Sequence, residues 1–287
     1  MALTENNNQL AAPGLRDFAA QGAVFDGLMQ TLRTGDYVHA YLICGMHGIG
    51  KRTLARLMAQ YILCRGEMDQ EPCGRCPDCI RFRDGTHPDV VYLRPEKDRK
   101  NITVDQVREL VALAAEHTYA GGRRIICVEQ AEKMNPQAQN ALLKIIEEPP
   151  DFVNFLLLCE NRSRMLPTIL SRAISVELEV PSVEECAAAL EALAPGRSAQ
   201  ERQAAAAGAG GNIGRALGLL GSAKPSKSAA DAKKLREELI YGERYACLRV
   251  LAGYDKDRDG LGQTLSLLRE GFAQAAVGRE ADERLCN

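Results

Sequence analysis

Seven residues, Gly45-Met46-His47-Gly48-Ile49-Gly50-Lys51, carry the G-x-x-x-x-G-K pattern of a phosphate-binding loop. Gly45, Gly48 and Gly50 would let backbone amides approach phosphate oxygens. The N-terminus of a following helix adds a favourable dipole, and Lys51 can pair with phosphate charge. A working loop needs Ser or Thr next, because that hydroxyl ligates Mg²⁺. Here the position holds Arg52, and Thr53 stands one place late. The cradle is kept and the metal ligand is lost. Retention of ATP or ADP stays open, efficient hydrolysis is not expected, and the plainer reading is a structural loop that preserves the turn.

The second half of such a site is an acidic pair beyond another buried strand, with an Asp for Mg²⁺ and a Glu for the attacking water. Arg124-Ile125-Ile126-Cys127-Val128 reads as a buried strand and leads into Glu129-Gln130-Ala131-Glu132. Glu129 can replace the Asp, but Gln130 cannot act as a general base. Defects in both halves of one site favour the inactive reading more than either does alone. A further candidate is Thr168-Ile169-Leu170-Ser171-Arg172-Ala173. Taken alone it is a cap and a solvated charge. In an oligomeric ATPase, an Arg projected at a neighbour's γ-phosphate stabilises transition-state charge.

Four of the ten Cys are clustered as Cys64-x8-Cys73-x2-Cys76-x2-Cys79. Four close thiolates suit tetrahedral Zn²⁺ and leave no open position for catalysis. An iron–sulfur cluster is the lesser alternative. His87 follows closely, but four sulfurs already fill the shell. Of the others (Cys44, Cys127, Cys159, Cys186, Cys247 and Cys286), the first three sit in apolar runs and read as small buried hydrophobes.

These groups need elements to hold them. Leu28, Met29 and Leu32, with Phe25, recur at helical spacing, and Gly35-Asp36 ends that helix. Tyr37 to Cys44 reads as a buried strand running into the glycine loop, and Leu54 to Leu63 as the helix after it. Beyond the cysteine insertion, His87 to Leu93 is a short strand and Val104 to Ala115 a helix. Ala138 to Glu147 is a helix stopped by Pro149-Pro150. Val153 to Cys159 and Ile174 to Leu178 are further strands. Strands alternating with helices imply an α/β fold with a parallel sheet covered on both faces. Pro181 marks a boundary, followed by helices over Val183 to Leu193, Gln200 to Ala207 and Ile213 to Leu220. Gly221 to Ser228 reads as a linker, about 230–275 as helical, and Arg279 to Asn287 as a frayed end.

The 287 residues are enough for two or three domains. A net charge of −2 gives no global basic field to draw the chain onto nucleic acid by itself. No apolar stretch approaches the roughly 20 residues of a membrane span. Met1 to Asn8 lacks the basic and apolar regions of a signal peptide, so a cytoplasmic location is expected, where the Cys are not a disulfide set.

Several motifs occur in a fixed order: His39-Ala40-Tyr41-Leu42, the glycine loop, the four cysteines, His87-Pro88-Asp89, Asn140-Ala141-Leu142-Leu143-Lys144, Glu147-Glu148-Pro149-Pro150 and Leu170-Ser171-Arg172. This series resembles the bacterial clamp-loader AAA+ subunits of DNA polymerase III, densely over about 20–220 and loosely beyond. The resemblance implies an AAA+ P-loop core with a zinc-binding insertion over residues 1–180, a small helical lid over 181–222, and an all-helical collar over 229–287, a collar short for the family.

Departures from the ATP-hydrolysing gamma/tau pattern resemble the delta-prime branch, a stator without turnover. They are Arg52, Gln130, Glu160 in place of the first sensor, and Gly214 in place of the sensor Arg of the lid. Ala173 replaces the Cys of a Ser-Arg-Cys motif. The resemblance further implies gamma/tau and delta as partner subunits, with the sliding clamp, primer–template DNA and factors associated with single-strand-binding protein reached through the complex. Arg172, with Ser171 beside it, would act on a neighbour's ATP. Two other readings stay open: a working gamma/tau-type ATPase, and a zinc-dependent nucleic-acid-binding module, against which the near-neutral charge argues.

Overall fold

A computed structural model of the chain describes residues 22–66, 72–96, 101–119, 121–221 and 227–241, together with 247, 250–254, 260–262, 264–266, 268–269 and 272. The stretch before Gly22, the Phe25 side chain, linker residues 222–226, the tail 279–287 and Cys286 lie outside the described residues.

Five strands form one parallel sheet: β1 Ala40–Cys44, β2 Val90–Leu93, β3 Arg124–Val128, β4 Val153–Cys159 and β5 Ile174–Glu177, in the order β2-β3-β4-β1-β5. The apolar runs of β1, β3 and β4 are buried along their whole length because both faces are covered. Helices α4 Val104–Ala115 and α5 Pro136–Glu147 cover one face, where Leu42, Ile126, Phe155 and Leu157 meet Val107, Leu110, Leu142 and Ile146. Helices α1 Gly22–Thr34, α2 Lys51–Leu63 and α3 Pro77–Arg83 cover the other, where Ile43, Ile125, Leu156 and Leu158 meet Leu32, Leu54, Met58 and Phe82.

Helix ends follow capping chemistry. Thr103 and Gln106 form a reciprocal box at the start of α4, and the Asn135 side chain with Pro136 starts α5. After the four-residue helix α6 Pro167–Leu170, a separate apolar cluster is built by α7 Val183–Leu193, α8 Ala199–Ala209 and α9 Ile213–Gly221 around Cys186, Leu190, Ala206 and Ala216. Helix α10 Lys227–Tyr241 begins two residues inside the stretch read as linker.

Two further readings shift. Tyr37, Val38 and His39 precede β1 rather than belonging to it. The Val38 N–H donates to the Tyr41 hydroxyl, and its carbonyl accepts from Asn154 Nδ2, so side chains take the bonds a strand neighbour would use. The cysteine insertion contains α3, which its irregular composition did not suggest.

Beneath the sheet edge lies a buried ion pair. Asp89 and Arg124 are almost fully enclosed, with Arg124 Nη2 3.3 Å from Asp89 Oδ1. Arg124 also donates to the carbonyls of Leu113, Glu116 and His117, closing the C-terminus of α4, while Asp89 accepts from the Tyr119 amide. Removing one member of a buried pair leaves the other charge stranded. Asp89→Ala should therefore lower the unfolding free energy by about 3–5 kcal/mol in urea denaturation. Combining it with Arg124→Met should cost less than the two single changes added together.

Candidate functional site

In a parallel sheet, the loops leaving the carboxyl ends of the strands gather on one edge. Here that edge collects the glycine loop after β1, Glu129 after β3 and Glu160 after β4. Register sets their level, since Cys44 pairs with Cys159 on one side and with Glu177 on the other. The Cys44 and Cys159 sulfurs lie 3.0 Å apart. Their shared hydrogen bond lowers the Cys44 pKa and, with burial, raises that of Cys159.

Every charged group predicted for the nucleotide cleft is engaged within the chain. Lys51 Nζ donates to the carbonyls of Gly45 and Met46, at 2.7 and 2.8 Å, and stands 3.7 Å from Glu160. Burial lowers the Lys51 pKa, opposed by the Glu160 and Glu132 charges. His47 Nδ1 lies 2.9 Å from the same Glu160 carboxylate. Arg52 Nη2 lies 2.5 Å from Glu129 Oε2. Thr53 follows, half-buried in the first turn of α2. Gln130 has φ 55°, a left-handed conformation uncommon for a side-chain-bearing residue, and opens a short 3-10 turn, Ala131–Lys133.

The start of α9 lies directly on the glycine loop. The Gly214 amide donates to the Gly48 carbonyl at 2.9 Å, and Asn212 Nδ2 donates to the His47 carbonyl at 2.7 Å. A Cβ at 214 would fall 2.6 Å from that Gly48 oxygen, and Gly48 itself has φ +78°, so both positions require glycine. Sequence reasoning identified Gly214 only as a missing Arg. Its contact with the loop, 166 positions earlier, has no local signature in the sequence.

Arg172 and Ser171 belong to a different place. They precede Ile174, which pairs with Tyr41 near the start of β1, so they stand at the amino-terminal edge of the sheet. About 13 Å of strand, four residues at 3.3 Å each, separates that level from Gly45. Arg172 Nη2 bonds Glu147 Oε1 at 2.8 Å, and Nη1 donates to the Thr168 carbonyl and to Ser171 Oγ, both at 3.2 Å. Glu147 ends α5. Arg172 keeps 40% of its side chain exposed, whereas Ala173 turns into the core beside Ile169.

The four clustered cysteines converge. All four sulfurs of Cys64, Cys73, Cys76 and Cys79 lie within 4.8 Å of one another, an arrangement that could hold one metal ion. Successive amides point at them: Cys73 N to Cys64 Sγ, Cys76 N to Cys73 Sγ and Cys79 N to Cys76 Sγ, each at 3.4 Å. Burial raises the Cys76 thiol, but amide and thiol donors outweigh it and bring its pKa down to about 6, while burial pushes Cys79 up. Amide donation to sulfur favours the thiolate that a metal needs. A Cβ on Gly66 would strike Cys73 Sγ at 2.5 Å, so the knuckle leaves no room there. His87 is not among the clustered ligands. It is buried, with Nε2 3.4 Å from Asp78 and Nδ1 accepting from the Asp89 amide, and burial holds its pKa down.

A family model described as DNA polymerase III, delta subunit, matches residues 20–182. This chain belongs to that family. The delta' subunit of DNA polymerase III from Pseudomonas aeruginosa is 44% identical over 158 residues, covering 55% of this chain and 47% of that protein. The delta' subunit from Haemophilus influenzae is 33% identical over 235 residues, covering 82% and 70%. The tau subunit from Escherichia coli is 31% identical over 175 residues, covering 61% and 27%. The match thus spans under half of the Pseudomonas relative. Residues 20–182 of that family match take in all five strands of the parallel sheet and its flanking helices, an α/β core. No helix among the described residues is long and apolar enough to cross a membrane.

For the cysteine cluster, protein purified without chelator should carry about one metal ion per chain by elemental analysis, the number that four ligands imply. Cys76→Ser should lose most of it. Metal-free wild-type protein with four titratable thiols at this site would overturn the assignment.

Proposed function

We propose that this chain is a delta-prime-type subunit of a DNA polymerase III clamp loader, a scaffold without ATP turnover of its own that offers Arg172 to ATP held by an adjoining subunit. The observation that carries the reading is the placement of Arg172. It sits at the opposite edge of the sheet from the chain's own glycine loop, partly exposed and oriented by Glu147 and Ser171. An Arg in that position serves a neighbour's γ-phosphate better than its own loop. Relatives named delta' support the choice of branch.

In this reading gamma/tau and delta are the partner subunits, and the sliding clamp and primer–template DNA are handled by the assembled complex in the cytoplasm. Residues 1–180 form the core, 181–222 the lid and 229–287 the collar that joins the ring. The metal of the cysteine cluster is zinc, because four sulfurs in a closed knuckle suit a structural Zn²⁺ site. The cradle of Gly45, Gly48, Gly50, Lys51, Thr53 and Glu129 takes no part in hydrolysis, since Gln130 supplies no base.

Arg172→Ala should leave folding and assembly intact and lower turnover at the adjoining ATP site by about 10³-fold, read as a partial fall in the ATPase of the reconstituted complex. Unchanged turnover in that complex refutes the role. A rate of order 1 s⁻¹ in the isolated chain, abolished by Lys51→Ala, would instead establish a working gamma/tau-type ATPase.

A further inference from the structure

The sequence presents Arg52 and Glu129 as two separate oddities, 77 positions apart; the fold makes them one interaction. In a phosphate loop of this kind, Mg²⁺ sits between the hydroxyl after the Lys and the acidic group at the end of the second strand. Those two positions are here Arg52, in the first turn of α2, and Glu129, directly after β3. Their side chains touch, with Arg52 Nη2 2.5 Å from Glu129 Oε2.

Mg²⁺ requires near-octahedral oxygen ligands at about 2.0–2.1 Å. A guanidinium nitrogen already in contact with the carboxylate oxygen denies the metal both the ligand and the space, and adds like-charge repulsion. Arg cannot escape by losing its proton. The Glu129 side chain is only 9% exposed while Arg52 is 67% exposed, so the guanidinium caps the carboxylate on the solvent side, where a metal would enter. The other acids of the cleft are engaged as well: Glu160 meets His47 and Lys51, and Glu132 Oε2 accepts from the Glu160 amide.

We propose that the Arg52 guanidinium, clamped on Glu129, is the resident cation of this cleft: it stands in the place of the divalent metal and keeps Mg²⁺ out. The claim concerns the cleft alone and does not depend on what Arg172 does. The positive charge is supplied once, by the sequence, and does not vary with metal or nucleotide concentration. Arg52→Thr, which restores a hydroxyl and uncovers Glu129, should convert the cleft into a metal-dependent one.

The test uses the full chain with ATP, comparing thermal unfolding in excess MgCl₂ with unfolding in EDTA. Wild type and the charge-retaining Arg52→Lys should show the same midpoint in both conditions. Arg52→Thr should gain about 2–4 °C with Mg²⁺ and ATP, the shift expected for roughly 1 kcal/mol of linked binding in a chain of this size. Arg52→Thr combined with Glu129→Gln should lose that gain, assigning it to this carboxylate. A wild-type midpoint that rises with Mg²⁺ and ATP as in Arg52→Thr overturns the proposal. So does an Arg52→Thr variant that stays indifferent to the metal. Either result leaves the reconstituted ATPase measurement on Arg172 untouched, so the two claims fail separately.

Discussion

The hydrogen-bonded register of β1 between β4 and β5 is the constraint on which the rest depends. The Gly45 amide donates to the Cys159 carbonyl and the Leu178 amide to the Cys44 carbonyl, so three chain segments leave the sheet at one level. A one-residue slip would carry every inward side chain of β1 to the opposite face. With all five β1 residues buried, and both faces packed against helices, such a slip would misplace Leu42 and Ile43 together. The register is therefore strongly specified, and it brings Lys51 to Glu160 and Arg52 to Glu129 across loops that share no local sequence.

The two edges of the same sheet are managed in opposite ways. At the carboxyl edge the charges neutralise one another inside the chain, with Lys51 folded onto its own loop carbonyls and Arg52 over Glu129. At the amino edge Arg172 is held by a single exposed carboxylate and two weak donor contacts, with Glu147 itself 41% exposed. Exposed pairs of this kind contribute about 0–1 kcal/mol, so Arg172 can exchange Glu147 for a more strongly charged partner at small cost. The Arg52–Glu129 pair differs in that its carboxylate is buried, so opening it leaves that charge with less access to water. One edge is closed by its own charges, and the other leaves its Arg in an exposed, exchangeable pair.

Much of this was legible in the sequence, for physical reasons particular to each element. Helix α4 was readable because Val104, Val107, Leu110, Val111 and Ala114 recur at helical spacing, and β4 because Phe155 to Cys159 is a short apolar run that ends in polar residues. The four-sulfur cluster was readable because metal ligands must be close in sequence to close a small knuckle. Helix α3 was not, since seven residues carry too little periodicity and its start is fixed by the Cys76 sulfur accepting from Cys79, a tertiary feature of the knuckle. The Arg52–Glu129 and Asp89–Arg124 pairs were invisible for a related reason. A charge in a list of residues has no partner until the strand order is known, and both pairs join segments at least 35 positions apart.

The contact of α9 with the glycine loop shows why the loss of a residue type can be a gain of structure. Read as a sequence, Gly214 is an absent Arg. In the fold, its missing Cβ is what allows the α9 backbone to reach the Gly48 carbonyl, and any side chain there would have to displace loop backbone rather than a flexible neighbour. The Gly214 and Asn212 bonds to the loop each contribute about 1 kcal/mol, yet they tie the cluster of α7, α8 and α9 directly to the turn after β1. In a cleft that depends on nucleotide, phosphates and metal would have to mediate between the same two bodies. Here the Gly214 amide and the Asn212 side chain make that connection directly, and the Arg52 guanidinium joins α2 to the end of β3 within the core.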